Sequence, residues 1–313
     1  MTRHAIRPGI EEHVTDAIVV TGLQKSYGST SAVAGIDLSV GVGEIVAVLG
    51  PNGAGKTTTV EILEGFRKRD AGTVSVLGMD PEAGGRAFRS GIGIVLQSTG
   101  VDPFLTVREV VKLYAGYYPR QRVVDEVIEL VGLTEKASSR VRTLSGGQQR
   151  RVDLALGLIG DPELVFLDEP TTGFDPSARR GAWGIVTGLR ELGKTVLLTT
   201  HYMDEAQHLA DRVVIMAGGR VVAEGAPDQL GGRGSARSIV RFVPPPGASL
   251  TDLPVAATAD GDAAVVETDH VTQDLAALAT WALDRGSELV GLTVSRPSLE
   301  DVYLQVTMGD ELS

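Results

Sequence analysis

The chain of 313 residues is long enough for one large domain with a smaller companion, and its 42% hydrophobic and 22% charged residues are typical of a soluble globular protein. Its net charge of −11, from 29 Lys and Arg against 40 Asp and Glu, disfavours a broad nucleic-acid-binding surface. The absence of cysteine excludes disulfides and thiolate metal sites and suits a reducing cytoplasm.

No segment has the composition of a targeting or membrane-spanning sequence. Residues 1–14 lack the apolar core of a signal peptide. No later window approaches the run of about 18 apolar residues that a membrane span needs. We therefore expect the chain to reach a membrane only through another polypeptide.

The first half of the chain alternates strand-like runs with turns. Residues 17–28 and 32–40 predict two strands, and the continuous apolar run 45–49 predicts a central strand buried on both faces. Two further buried runs, 164–169 and 195–201, also end in polar residues. Because ligands bind at the carboxyl ends of the strands in open α/β sheets, we expect these three strand ends to converge on one site.

The sequence GPNGAGKT, residues 50–57, follows the strand 45–49 and precedes a helix-compatible stretch. It fits the phosphate-loop pattern GxxxxGK[ST] in the structural context that the pattern requires. Glycine lets backbone N–H groups approach phosphate oxygens, Lys56 would contact the β- and γ-phosphates, and Thr57 would place its hydroxyl on Mg²⁺. The flanking strand and helix disfavour the alternative, a glycine-rich turn with a surface lysine.

Residues 106–137 predict a helical insertion between strands of the sheet. Thr106 and Glu109 have the spacing of a capping box at the start of one helix. The next helical segment is predicted to start at Pro119, and the insertion is too short and too broken for a long coiled coil. We expect the helical subdomain over about 98–163. In the helical segment predicted to start at Pro119, apolar residues recur at Val124, Val127, Ile128 and Val131.

The run LSGGQQRR, residues 144–151, stands directly before another apolar-periodic stretch. One interpretation is a loop followed by a capped helix. The other is a helix start whose exposed backbone N–H groups bind an anion. The apolar face of the helix is formed by Val152, Ala155, Leu156 and Ile159.

Paired carboxylates end the buried strand 164–169. Asp168 would bind Mg²⁺ through its water shell, because a hard cation of this kind keeps several waters. Glu169 would polarise the attacking water as a general base. The alternative is an acidic strand end that caps the next helix, and the phosphate loop in the same chain makes this alternative weak.

The last third of the chain predicts a hairpin and a separate small domain. The hairpin spans 213–225 and turns at Gly218 and Gly219, and 231–237 has linker composition. We therefore predict a large domain over 1–230 and a small α+β domain over 231–313. The small domain carries 12 acidic and 5 basic residues and so −7 of the net charge. Its predicted elements are strands at 239–243, 264–269 and 288–294, a helix over 273–286 and a short helix from Ser298.

The motif LSGGQ before an amphipathic helix resembles the signature sequence of ATP-binding-cassette (ABC) ATPases. Further elements of that family stand in the expected order: Tyr27 upstream of the phosphate loop, Gln97 at the end of the strand IGIVLQ, TTGFDP at 171–176 and His201 after a strand. The resemblance covers about residues 15–230. It implies an α/β fold of the P-loop NTPase type, with a mixed sheet core, an antiparallel β subdomain and a helical subdomain.

The resemblance also implies roles for single residues. Two cassettes would pack head to tail, so that Ser145, Gly146 and Gly147 cap the γ-phosphate held by Lys56 of a second copy, with ATP and Mg²⁺ as cofactors. Asp175 would make a contact across the dimer. The implied catalytic residues are Glu169, Gln97 and His201, the last as a γ-phosphate sensor. The implied metal contacts are Thr57, Gln97 and Asp168. Tyr27 would be the platform for adenine, and the other implied nucleotide contacts are Gly50, Pro51, Asn52, Gly53, Ala54, Gly55, Lys56, Thr57, Thr58, Ser145, Gly146, Gly147, Gln148 and Asp175.

Some positions leave alternatives open. Taken alone, Tyr27, Gln97 and His201 are typical of ordinary packing or solvated residues, and only their order supports the functional interpretation. Phe174 stands where leucine is commoner in the family, and Ser98 where an acidic residue is frequent. Neither departure removes a catalytic group. Residues expected to be purely structural are Trp183, Trp281, His4, His13, His208 and His270.

Three functions compete within this family: the motor subunit of a membrane transporter, a soluble ATPase of repair or translation, and a regulator without turnover. The single cassette, the short insertion and the acidic charge favour the transporter, and Glu169 and His201 disfavour the regulator.

The stretches 150–176 and 199–213 and the tail 296–304 resemble ABC-2 exporter ATPases of the daunorubicin-resistance type. The partners implied are a membrane-spanning permease and a second ATPase subunit, with no nucleic acid, at the cytoplasmic face of the membrane. The cargo that this resemblance implies is a drug-like or amphipathic molecule; the alternatives are lipid, polysaccharide or ion.

Overall fold

The computed structural model describes residues 16–95, 100–232, 237–296 and 298–308. The chain divides between Glu224 and Gly225 into two compact units. We predicted the domain boundary a few residues further on, at 230.

The larger unit contains nine strands and seven α-helices within its described residues. The strands are β1 Asp16–Tyr27, β2 Thr30–Gly41, β3 Ile45–Leu49, β4 Ala71–Val76, β5 Ile92–Val95, β6 Leu164–Asp168, β7 Thr195–Thr199, β8 Arg212–Ala217 and β9 Arg220–Gly225. The helices are α1 Lys56–Leu63, α2 Arg86–Gly91, α3 Val107–Ala115, α4 Val124–Leu130, α5 Gly146–Leu158, α6 Pro176–Glu191 and α7 Met203–Leu209.

The main sheet has six strands in the order β5-β6-β7-β3-β8-β9. The pairs from β5 to β8 are parallel, and all five residues of β3 are buried, as predicted for a central strand. The hairpin from β8 to β9 turns at Gly218 and Gly219, which both adopt positive φ (53° and 75°). This left-handed backbone is the conformation that a two-residue hairpin turn requires and that glycine adopts readily.

A second sheet of three antiparallel strands has the order β2-β1-β4. The two sheets share one hydrophobic core, to which the second sheet contributes Ile18 and Ile36 and the main sheet contributes Phe166 and Leu197. The mixed sheet core with its antiparallel subdomain is therefore confirmed.

The helical insertion lies between β5 and β6 and includes α3, α4 and α5. The capping box at the start of α3 is confirmed, because the Thr106 side chain accepts from Glu109 N and the Glu109 carboxylate accepts from Thr106 N. The predicted helix start at Pro119 is wrong, since α4 begins at Val124. The backbone N–H of Arg122 instead donates to Ile159 O (2.9 Å), which holds the segment before α4 against the end of α5.

The smaller unit contains a four-stranded antiparallel sheet in the order β11-β12-β10-β13. Helix α8 covers one face of this sheet, and Phe242, Leu278 and Trp281 form its core. The predicted α+β architecture and the structural role of Trp281 are confirmed. The elements are β10 Ser238–Val243, β11 Thr258–Asp260, β12 Ala263–Thr268, α8 Val271–Asp284, β13 Val290–Ser295 and α9 Leu299–Met308.

Among the helices of the described residues, none combines the length and the apolar character needed to cross a membrane.

Candidate active site

The phosphate loop, residues 50–57, connects β3 to α1 at the carboxyl edge of the parallel strands. Two of its glycines leave no room for a side chain. A Cβ at Gly50 would lie 2.4 Å from Met216 O, and a Cβ at Gly55 would lie 2.3 Å from Ala32 O. Gly55 also has a φ of 97°, which L side chains rarely adopt. The path of the loop therefore depends on glycine at both positions.

Lys56 begins α1 and is almost fully buried. Its Nζ donates to Gly50 O (2.7 Å) and Pro51 O (3.0 Å), so the ammonium group lies across the loop. Burial lowers the pKa of Lys56, whereas the nearby carboxylates of Glu169 and Asp168 act in the opposite direction. A cationic donor thus stands within the electrostatic reach of both strand-end carboxylates.

Asp168 and Glu169 occupy the end of β6, as predicted, but the strand itself ends at Asp168. Asp168 Oδ1 accepts from the Thr199 hydroxyl (2.6 Å) on the neighbouring strand β7. Glu169 has a φ of 45°, in the left-handed region, and its N–H donates to both Thr199 O and Thr199 Oγ1 at 3.1 Å. This turn follows directly on the strand, and Glu169 lines the cavity at its end.

The structure brings Glu169 and His201 into contact. Glu169 Oε1 lies 3.3 Å from His201 Nδ1, and Glu169 Oε2 accepts from the Thr172 hydroxyl (3.0 Å). His201 is about half exposed and packs against the ring of Tyr202 at 4.1 Å between centroids. The predicted strand 195–201 ends earlier, at Thr199, so His201 lies in the loop that follows β7.

The signature segment forms the start of α5. Ser145 is the N-cap, and its side chain and that of Gln148 form a reciprocal capping box. Gly146 is exposed, and nothing lies within 4 Å of a Cβ placed on it. The capped helix is therefore confirmed, and its glycine backbone faces open space, while anion binding at this helix start stays a prediction.

The start of α5 and the Glu169 turn line the same cavity. This cavity has a volume of about 450 Å³, and its walls include Gly146, Arg150, Glu169, Gly173 and Phe174. Within one chain, the start of α5 and the Glu169 carboxylate therefore lie on the same cavity.

Tyr27 and Asp175 lie at two other edges of the site. Tyr27 ends β1 and is 43% exposed, with the guanidinium carbon of Arg67 5.3 Å from its ring centroid. Its ring is therefore accessible for stacking. Asp175 Oδ1 accepts from Ala178 N (2.8 Å), so within this chain the carboxylate caps α6.

The predicted metal contacts are described only in part. Gln97 lies outside the described residues. Thr57 is exposed on the first turn of α1, and Asp168 lies partly buried at the end of β6. Hydroxyl and carboxylate oxygens are the hard donors that Mg²⁺ prefers, so the described residues fit this ion.

Three residues near the site were not predicted from the sequence: Glu64, Arg150 and Thr199. Each is buried, although each is polar or charged. Glu64 and Arg150 stand beside apolar-periodic helical stretches, and a charge in such a position is the signal that could have identified them. Thr199 carries no such signal, because threonine is common in strands.

A glycine-rich loop from a parallel strand to a helix, two carboxylates on a nearby strand end and a histidine in contact with one of them define a nucleoside triphosphatase of the P-loop class. Comparison with known proteins identifies the family. The ABC transporter family matches residues 33–172, and the family described as the C-terminal domain of ABC transporter domain-containing proteins matches residues 238–298.

Individual relatives agree with these matches. A daunorubicin resistance ATP-binding protein of Streptomyces coeruleorubidus is 38% identical over 307 residues, covering 94% of this chain and 96% of that protein. A Nod factor export ATP-binding protein of Rhizobium etli is 40% identical over 235 residues, or 74% of each chain. A dimeric ATP-binding cassette in a post-hydrolysis state bound to ADP and Pi shares a TM-score of 0.60 at 26% identity, over 67% of this chain and 98% of that one. The chain therefore belongs to the ABC transporter ATPase family.

Proposed function

We propose that this chain is the ATP-hydrolysing motor subunit of an ABC-2 exporter, and that it drives the efflux of drug-like amphipathic molecules through a separate membrane-spanning permease. The similarity to the daunorubicin resistance ATP-binding protein carries this proposal, because it extends over 94% of the chain and includes the smaller unit. The motor would work at the cytoplasmic face of the membrane.

The site geometry supports a role for each group in hydrolysis. Lys56 would exchange its two loop carbonyls for the β- and γ-phosphate oxygens. Glu169 would accept a proton from the attacking water. His201, whose Nδ1 lies 3.3 Å from Glu169 Oε1, would contact the γ-phosphate. Bound through Asp168, Thr57 and Gln97, Mg²⁺ would neutralise charge on the phosphates. Tyr27 would stack on adenine.

A second subunit would complete each nucleotide site. The exposed Gly146 backbone at the start of α5 supports this, since unpaired N–H donors and the positive end of the helix dipole attract phosphate. A related cassette bound to ADP and Pi is dimeric. Ser145, Gly146 and Gly147 of one copy would cap the triphosphate held by Lys56 of the other, with Asp175 at the contact.

The Nod factor export relatives favour a second candidate, the export of a cargo of the Nod factor type in place of a drug-like molecule. They are 40–43% identical to this chain but cover only 66–74% of it. Vesicles that contain the chain and its permease can be tested with each class of cargo separately. The class that is transported only when ATP is present decides between the two candidates.

Replacing the carboxylate by an amide in Glu169→Gln tests the motor function. We expect ATP binding to be unchanged and hydrolysis to fall by about 10²-fold or more, because general-base catalysis contributes about 10²–10⁴-fold. Nucleotide titration and phosphate release, measured on the full chain with its permease in vesicles, give both quantities.

The matched control is Glu135→Gln, at an exposed glutamate in a short turn of the helical insertion. It should leave binding, hydrolysis and transport unchanged. Normal phosphate release by Glu169→Gln would reject Glu169 as the base. Efflux that continues in vesicles without ATP would reject the motor function.

A further inference from the structure

The side chain of Arg150 crosses from the signature helix to the turn that carries Glu169. It lies in the second turn of α5 and is 7% exposed. Its Nη2 donates to Asp168 O (2.9 Å), and its Nε donates to Pro170 O (3.3 Å). These two carbonyl groups belong to the residues immediately before and after Glu169. One guanidinium group therefore holds the backbone on both sides of the predicted base.

The backbone at Glu169 needs such support. Its φ of 45° is left-handed, and this conformation costs a non-glycine residue roughly 1–2 kcal/mol. Thr199 holds the same residue from the opposite side through the Glu169 N–H. With both contacts in place, the turn has anchors before, at and after Glu169.

The chemistry of the contact requires arginine. The carbonyl oxygens of Asp168 and Pro170, which are two residues apart, are reached by two N–H groups of one planar fork, whereas a lysine ammonium is a single compact donor centre. Asp153, one turn further along α5, lies 3.8 Å from Arg150 Nη1 and offsets the cost of burying the charge.

We propose that Arg150 is a positioning residue, which ties the signature helix to the Glu169 turn of the same subunit and so aims the Glu169 carboxylate at the attacking water. This proposal rests on the proposed function, in which Glu169 is the base. Arg150 touches neither the nucleotide nor the water and acts through Glu169.

A double-mutant cycle on the full chain tests the proposal with Arg150→Lys and Glu169→Gln, separately and together. With Glu169 present, we expect Arg150→Lys to lower kcat by about 10- to 100-fold, since small misplacements of catalytic groups have effects of this size. ATP affinity and KM should change by less than about threefold, because the phosphate loop is untouched. In the Glu169→Gln background, followed with labelled ATP and excess protein, Arg150→Lys should cause less than about a twofold further loss.

The matched control is Arg151→Lys, the same substitution at the neighbouring residue of α5. Arg151 packs near Gly132 and Gly181, away from the Glu169 turn, and its variant should behave as the wild type. An equal loss of kcat from Arg150→Lys in both backgrounds, or no loss in the wild type, would overturn the positioning role.

Two further measurements keep the test decisive. If thermal unfolding shows that Arg150→Lys does not fold, Arg150→Gln, which keeps one N–H donor group at the same position, takes its place and should show the same dependence on Glu169. If Glu169→Gln alone leaves hydrolysis intact, the role of Glu169 as the base in the proposed function fails; if Glu169→Gln abolishes hydrolysis and Arg150→Lys acts independently of it, only the positioning role fails.

Discussion

The carboxyl group of Glu64 lies buried at the end of α1, beside a cavity also lined by Phe66, Arg89 and Tyr118. Burial raises its pKa to about 8, and the negative charges of Asp168 and Glu61 act in the same direction. The folded chain therefore binds a proton at Glu64 that the unfolded chain releases near pH 4.5. Between these two values the folded state loses stability as the pH rises, because ionisation is easier after unfolding.

Glu64→Gln should remove this pH dependence. The free energy of unfolding of the variant, relative to that of the wild type, should rise steadily from about pH 5 to about pH 8 and then stay constant. The total rise should be a few kcal/mol, because one pKa unit corresponds to about 1.4 kcal/mol. Thermal unfolding of both proteins without nucleotide, from pH 5 to pH 9, measures the difference. The control Glu129→Gln, at an exposed carboxylate on α4, should show no such trend. A constant offset at all pH values would contradict the raised pKa.

At the scale of the element, the start of α5 combines a helix cap with a predicted phosphate contact. Ser145 caps the helix, and Gln149 Nε2 donates to Val141 O and Leu144 O in the preceding segment (both 3.3 Å). These contacts fix the direction in which the Gly146 backbone faces. Ser145 therefore caps the helix and, in the proposed function, also contacts the nucleotide, and two substitutions can separate these two roles.

Ser145→Ala and Ser145→Asp should differ in a defined way. Alanine removes the cap and should cost about 1 kcal/mol of stability, whereas aspartate caps as well as serine and should preserve it. Aspartate nevertheless places a negative charge where the γ-phosphate of the ATP bound by the second copy would lie. It should therefore abolish ATP-dependent dimerisation. Light scattering in the Glu169→Gln background measures the dimer. The same change at the N-cap of α3, Thr106→Asp, should leave dimerisation intact. Dimers of normal stability in Ser145→Asp would contradict the phosphate contact.

At the scale of the whole molecule, the two units have separate hydrophobic cores. Phe166 belongs to the core of the larger unit, and Phe242 belongs to that of the smaller one. Both side chains are fully buried. Truncation of either residue creates a cavity, so each core can be destabilised independently of the other.

Phe242→Ala should destabilise the smaller unit by about 3–5 kcal/mol and leave ATP affinity unchanged. Denaturant unfolding followed by Trp281 fluorescence, in a chain that carries Trp183→Phe, reports on that unit because Trp281 lies in its core. Nucleotide titration of the same protein gives the affinity. Phe166→Ala is the comparison and should weaken ATP binding, since Phe166 lies in β6, just before Asp168. Reduced ATP affinity in Phe242→Ala would show that the units are energetically coupled.

The sequence predicted those parts of the fold and site that depend on short spacings. The phosphate loop, the capping box at Thr106 and the buried strand β3 are each defined by neighbouring residues. The contacts of Arg150 with the Glu169 turn could not be predicted, because they join residues about 20 positions apart through tertiary packing. The start of α4 was predicted wrongly for the same reason, since a contact between Arg122 and Ile159 fixes that segment.

The two hydrogen bonds from Lys56 to carbonyl groups of its own loop have a consequence for ligand discrimination. The ammonium group has three N–H donors and two of them are bonded to the loop, so an anion that takes more than the third donor has to replace a bond worth about 0.5–1.5 kcal/mol net. A lone phosphate ion presents its oxygens around one phosphorus atom, whereas a polyphosphate chain can satisfy the ammonium and the loop amides at separate places. With Lys56 in its proposed role at the β- and γ-phosphates, these resting hydrogen bonds would favour ligands with several linked phosphates over free phosphate.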